Sequence, residues 1–263
     1  MKQKNKKLYI VIITCIFVTI ITYALSITKT EAPQINENLK ANEEIIPEKE
    51  KIEVDSKEKY RIINRSIIVP EDITNKKNVV LLTIDDGPSK RTKEIMDILK
   101  NHNAKAIFFI NGMHDKNNVG VIEQIIQEGF TVGNHTWSHL NLKKEKDLNI
   151  IEKEIIDDSL LINKLTGTLP RFFRAPYGES NTYIRNFVKE NGMIFMDWSG
   201  SVIDWDKSTI EKDVFISNVT LNLRSGLIIL IHEHPWSVAN LDGLLTALEA
   251  KGYTYVDPEN IIE

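Results

Sequence analysis

The amino-acid sequence predicts an α/β fold, a (β/α) barrel of about seven parallel strands. Short apolar runs alternate with segments of helical period throughout residues 66–263, the pattern of parallel strands joined by helical crossovers. The uncommon polar residues Asp85-Asp86, His135, Arg174, Asp204-Trp205 and His232 each follow a predicted strand. That placement suits a barrel, where the C-terminal ends of the strands converge on one face. An open doubly wound sheet is the alternative, but no glycine-rich dinucleotide fingerprint supports it.

Each element has its own signal. Val79–Ile84 is an apolar, β-branched run ending at Asp85-Asp86-Gly87-Pro88, and reads as the first strand. Lys93–Lys100 follows as a helix whose Ile95, Met96, Ile98 and Leu99 face inward. Ala106–Ile110 is the next strand, Val119–Gln127 the next helix, and Thr131-Val132 a short strand leading into His135. A long helix is expected from Leu148 to Leu165, with Ile151, Ile155 and Ile162 near helical spacing. Strands at Phe172-Phe173, Ile194–Met196, Leu227–Ile231 and Tyr253–Val256 complete the series, separated by further helices.

The N-terminal part reads differently. Lys2, Lys4, Lys6 and Lys7 precede an uncharged stretch from Leu8 to Ile27, long enough for a membrane-spanning helix of about 20 residues. Residues 1–27 are therefore expected to be cytoplasmic lysines and a transmembrane anchor, with a cleaved signal peptide ending near Ala24-Leu25-Ser26 as the alternative. The flanking lysines would keep the N-terminus inside and the rest of the chain outside. This predicts a single-pass protein of the cell membrane, or a secreted one if the segment is removed. Residues 28–65, rich in Glu and Lys, read as a charged stalk that cannot bury enough apolar surface to offset its ordering entropy. Residues 66–263 are the expected folded domain. The net charge of −4 and the absence of a basic, aromatic-studded patch exclude a nucleic-acid partner, and nothing implies a protein partner. With Cys15 the only cysteine, neither an internal disulfide nor a thiolate cluster can form, so any metal must be held by His, Asp or Glu.

Two carboxylates in Asp85-Asp86 and two imidazoles in His135-Thr136-Trp137-Ser138-His139 supply one group more than a three-ligand metal site needs. A catalytic zinc site commonly takes three protein ligands and keeps a position for water, which leaves one carboxylate to serve as a base. Thr136 stands where HExxH chemistry would require a glutamate, so that mechanism is excluded. A magnesium phosphotransfer site built on Asp85-Asp86 would give the histidine pair no task. His102, His114 and His234 have no matched partner and read as structural or solvated, and Trp198 reads as core.

Taken in order, these segments resemble the polysaccharide deacetylase family, carbohydrate esterase family 4 with its NodB homology domain. Thr83–Pro88 is similar to TFDDGP with Ile84 in place of Phe, and His135–His139 to H-[ST]-x-x-H. Arg174-Ala175-Pro176-Tyr177-Gly178 resembles RPPYG with Ala175 in place of a proline. The segment from Trp198 to Trp205 resembles D-x-x-D-W with Ser201 for the first aspartate, and Leu230-Ile231-His232 resembles L-x-H. The resemblance implies a distorted (β/α) barrel of NodB type. It implies Asp86, His135 and His139 as ligands of a divalent metal, Zn²⁺ foremost, with Co²⁺ or Ni²⁺ as alternatives. Asp85 would be the base, held by Arg174, and His232 the acid, oriented by Asp204. Tyr177 would stabilise the oxyanion, and Trp205 and Leu230 would bound the sugar groove. The expected reaction is removal of N-acetyl groups from an extracellular glycan, foremost the N-acetylglucosamine of peptidoglycan. Chitin oligosaccharide, poly-N-acetylglucosamine and acetylxylan are the alternatives, and a wall protein that binds glycan without turnover is the rival from another class.

Overall fold

The structure, a computed structural model, describes residues 58–262, all within the compact unit Val54–Glu263. The expected anchor at residues 1–27 and most of the expected stalk lie outside the described residues. Among the described residues, no helix is long and apolar enough to cross a membrane.

Ten strands form one sheet. They are β1 (Tyr60–Ile63), β2 (Ile67–Pro70), β3 (Val79–Gly87), β4 (Ala106–Ile110), β5 (Thr131–Asn134), β6 (Phe172–Phe173), β7 (Ile194–Phe195), β8 (Gly200–Ser201), β9 (Leu227–His232) and β10 (Thr254–Tyr255). Along the path the order is β1-β2-β9-β3-β4-β5-β6-β7. From β9 to β7 every pairing is parallel. β8 extends the outer flank of β9, and β10 pairs the start of β3, where β4 has not yet begun. Helices α1 (Thr92–Asn101), α2 (Val121–Gln127), α3 (Leu148–Thr166), α4 (Thr182–Glu190), α5 (Lys212–Thr220) and α6 (Pro235–Ala250) make the connections.

Two expectations need correction. The ring is a partial barrel, because no ladder joins β7 to β8 among the described residues. Both strands have only two residues, too few hydrogen bonds to carry a closing edge. β1 also lies inside the segment assigned by composition to the stalk. It pairs antiparallel with β2, and Tyr60 and Ile68 are buried in the core. A four-residue strand bordered by Lys59 and Arg65 is masked by its charged neighbours when composition is averaged over a window.

Strand alternation explains the two faces of the sheet. Val80, Leu82 and Ile84 pack outward with Phe108, Ile229 and Ile231 against Leu99 of α1 and Leu244 and Leu248 of α6. Val79 and Leu81 point inward with Ile107, Phe109, Phe172 and Ile228. Since successive side chains alternate, Thr83 and Asp85 continue the inward set of β3, and Leu230 and His232 that of β9. Each fully buried Leu, Ile or Phe contributes about 1.5–3 kcal/mol relative to exposure. A rigid apolar floor thus carries polar groups at its rim.

Candidate active site

The rim carries a cleft of about 470 Å³ lined by Asp85, Asp86, His135, His139, Tyr177 and His232, among others. A bulge brings the two carboxylates together. The ladder from β3 to β4 shifts register between Asp85 and Gly87, and Asp86 takes a left-handed φ of 68°. In a regular strand adjacent residues face opposite sides, so Asp86 would point into the helical layer. The bulge re-aims it into the mouth, and aspartate tolerates the left-handed region better than most side chains.

Beyond β5, Thr136 (φ 69°) and His139 (φ 60°) fold the loop back so that both imidazoles face Asp86. Asn111 donates to the carbonyls of His135 (2.6 Å) and Thr136 (3.1 Å), and Asn134 accepts from the Thr136 N–H (2.9 Å). Asp158 of α3, fully buried, accepts from the His135 N–H at 3.2 Å. Burial pushes its carboxyl well above the usual range. His135 Nδ1 lies 2.8 Å from the Arg174 carbonyl. That carbonyl can only accept, so Nδ1 carries a proton and Nε2 is the ring nitrogen left to face Asp86. The Nε2 atoms of His135 and His139 lie 3.4 and 3.3 Å from Asp86 Oδ1. Burial pushes His139 down, aided by the neighbouring His135. Burial acts to raise the Asp86 carboxyl, but contact with His135 and the charges of His135, His232 and His139 hold it well below the usual range.

These three side chains fit a divalent cation. Their ligand atoms lie within 4.8 Å of one another. Asp86 Oδ1 is buried with no geometrically sound hydrogen bond among the described residues, a state that costs free energy unless a partner binds it. Asp85 is differently placed. Its Oδ1 accepts from Arg174 Nη1 at 2.8 Å, and its Oδ2 lies 3.8 Å from His135 Nε2. Arg174, itself fully buried, also donates to Thr83 Oγ1 and to the Met196 and Asp197 carbonyls, with its guanidinium 4.4 Å from the Phe109 ring centroid.

His232 stands opposite. Its Nδ1 is 2.6 Å from Asp204 Oδ1, while Asp204 Oδ2 accepts from the His232 N–H (2.7 Å) and Ser237 Oγ (2.6 Å). Burial acts to lower the His232 pKa, yet the hydrogen bond and charge of Asp204, with smaller contributions from Asp85 and Asp86, raise it to about 9. Trp205 sets its ring perpendicular to that imidazole at 5.8 Å. Tyr177, at φ 62°, places its ring 4.8 Å from that of His139. Its N–H has no acceptor among the described residues. Leu230 lines the floor. All ten residues singled out in the sequence converge: eight line the cleft, and Arg174 and Asp204 are buried behind it.

Other residues were missed. His234 and Trp198, read as structural or core, both line the cleft, and Trp236 stacks on His234 at 4.7 Å while donating to the Asp204 carbonyl. His114 Nδ1 lies 3.1 Å from the Asp86 carbonyl. Trp198 begins the segment that resembles the fourth motif, and the other three lie outside the matched motifs. Asp204, His232 and His234 form a second group within 4.8 Å, but both Asp204 oxygens are already committed to hydrogen bonds. Ser201, at the first position of the fourth motif, accepts from the Ile203 N–H (3.0 Å) and shapes the turn into Asp204.

Comparison with known proteins agrees with this geometry. The family profile described as polysaccharide deacetylase matches residues 72–196. A peptidoglycan-N-acetylglucosamine deacetylase of Bacillus cereus is 36% identical over 183 residues, covering 67% of this chain and 66% of the relative. A Listeria monocytogenes protein named peptidoglycan-N-acetylglucosamine deacetylase PgdA is 34% identical over 190 residues, 72% of this chain but only 39% of that longer protein. A crystal structure of a peptidoglycan N-acetylglucosamine deacetylase is 35% identical with a TM-score of 0.64, covering 69% of this chain and 86% of the solved one. With its motifs gathered at one rim of a partial barrel, the chain belongs to the polysaccharide deacetylase family.

Proposed function

We propose that the protein is a metal-dependent hydrolase that removes N-acetyl groups from an extracellular polysaccharide, the N-acetylglucosamine residues of peptidoglycan. The observation that carries this reading is the division of labour between adjacent carboxylates. Asp86 converges with His135 and His139, while the adjacent Asp85 has one oxygen tied to Arg174 at 2.8 Å. Similarity to proteins named as peptidoglycan-N-acetylglucosamine deacetylases supports the substrate.

Asp86, His135 and His139 would hold the cation, Zn²⁺ on the chemistry of the donor set. Such an ion supplies Lewis acidity toward the acetyl carbonyl and lowers the pKa of a water toward neutrality. Asp85, with one oxygen held by Arg174, offers its Oδ2 to the proton of the attacking water. The Tyr177 N–H would donate to the oxyanion as charge develops. The leaving amine needs a proton before the C–N bond breaks. His232, with its pKa raised to about 9, is charged at neutral pH and carries that proton on Nε2, because Nδ1 is engaged by Asp204. The anchor at residues 1–27 would hold the domain within reach of the wall, which supports peptidoglycan over soluble chitin oligosaccharides, poly-N-acetylglucosamine or acetylxylan.

The test is acetate release from purified cell-wall glycan after chelation and Zn²⁺ restoration. Asp86→Ala should weaken Zn²⁺ binding in a direct titration. Asp85→Asn should keep the metal and lose about 100-fold or more in kcat, the scale of a general base. A wild-type domain that binds metal and glycan yet releases no more acetate than Asp85→Asn would overturn the assignment in favour of a glycan-binding wall protein.

A further inference from the structure

We infer that Glu233, which belongs to none of the family motifs found in the sequence, is a positioning residue that clasps the Asp85-Asp86 turn to the strand bearing His232. The inference rests on the functional reading above. The ladder between β3 and β9 ends at the pair Asp85↔His232. Asp86 comes one residue later, displaced by the bulge and left-handed, beyond the last paired position of that ladder. On the β4 side the turn is held by its carbonyls. His114 engages that of Asp86, the Asn111 N–H that of Gly87 (2.8 Å), and Asn118 that of Pro88 (2.9 Å). On the β9 side the tie is a side chain. Glu233, 6% exposed, accepts from Ser89 Oγ and from Thr92 Oγ1, the latter at 2.9 and 2.7 Å to its two oxygens.

The surrounding structure is shaped to this carboxyl group. A Cβ on Gly87 would meet Glu233 Oε1 at 2.6 Å, so the glycine leaves room for it. Ser89 and Thr92 are themselves linked, the Ser89 N–H donating to Thr92 Oγ1 at 2.8 Å and Ser89 Oγ accepting from the Arg91 N–H at 3.1 Å. The clasp therefore reaches the first turn of α1 and closes the turn between two strands. A carboxyl buried at such expense is stabilised by its bonds to the two hydroxyls. With Glu233 adjacent to His232 and Ser89 following Gly87-Pro88, one group sets where the ligand Asp86 sits relative to the acid.

The experiment compares Glu233→Leu, Glu233→Gln and Thr92→Val with wild type, reading Zn²⁺ affinity by titration and kcat and KM separately. Glu233→Leu should lose about tenfold or more in Zn²⁺ affinity and in kcat, the scale for groups that orient metal ligands. KM should stay within twofold, since Glu233 is not among the residues lining the cleft. Glu233→Gln keeps an acceptor oxygen and should recover most of both losses. If Glu233→Leu does not fold, Thr92→Val reads the same clasp from its other end and should weaken Zn²⁺ binding. A folded Glu233→Leu or Thr92→Val with wild-type Zn²⁺ affinity and kcat overturns the inference. So does a fall in thermal stability alone, which is a structural role. Zn²⁺ affinity changing as expected in a protein inactive on every glycan would leave the clasp standing and sink the deacetylase reading instead.

Discussion

His232 and Asp204 show how one residue sets the working state of another. An imidazole ordinarily titrates near 6.5, and burial alone would push it lower. The Asp204 carboxylate at 2.6 Å outweighs that and raises His232 to about 9. The acid must be protonated to act, so activity should hold through neutral pH and fall on an alkaline limb. Asp85 and Asp86 contribute to the same rise, and a cation bound at Asp86 opposes their share, which places the limb at or below about 9. Asp204→Asn removes the largest favourable charge. The alkaline limb of kcat should then move down toward about 6.5, and the rate at pH 8 should drop about tenfold or more by that displacement. A kcat–pH profile checks this. An unmoved limb would mean that His232 is not the group that protonates the leaving amine. The candidate ligands, base and acid were legible because the segments bearing them, Thr83–Pro88, His135–His139 and Leu230–His232, resemble family motifs in the family's order, although a strand-end histidine or an Asp-Gly-Pro turn alone has an ordinary structural explanation. His234, Glu233 and Asp158 were not, since their roles depend on neighbours distant in sequence: Glu233 meets Thr92, and Asp158 meets His135.

Strands show the same division at the scale of elements. β3 and β9 stand out as continuous Val, Leu and Ile runs because both of their faces are buried. β8 has two residues, one of them glycine, and β1 reads as an extension of a charged segment. Their pairing is decided by tertiary contact, which local propensity does not encode. The β1–β2 hairpin is nonetheless built into the sheet at one tight point. Gly226, at φ 86°, accepts from the Ile68 N–H at 2.9 Å and donates to the Val79 carbonyl at 2.8 Å. A Cβ there would sit 2.2 Å from the Ile68 carbonyl oxygen. Gly226→Ala should thus displace β2 from the start of β9. The combined left-handed strain and collision should cost about 2–3 kcal/mol, read as a lowered midpoint in denaturant unfolding. A midpoint equal to wild type would show that the hairpin is not held at this glycine.

At the scale of the whole molecule, the described residues that line the cleft all belong to the unit Val54–Glu263. Chemistry and location are then separable. A protein comprising residues 54–263 should deacetylate soluble glycan oligomers with the kcat/KM of the full chain, because every group that binds or reacts is retained. On intact cells the two should diverge. The apolar stretch Leu8–Ile27 matches a bilayer span in length, and the anchor proposed for residues 1–27 would raise the local concentration of enzyme at the wall in place of free diffusion. The full chain should therefore sediment with membranes and resist salt extraction, and wall deacetylation should fall when residues 1–53 are replaced by a cleavable leader. Recovery of the full chain from the medium with a new N-terminus near Ser26 would establish the cleaved-signal alternative. Equal wall deacetylation by tethered and released forms would show that the anchor sets location without limiting the reaction.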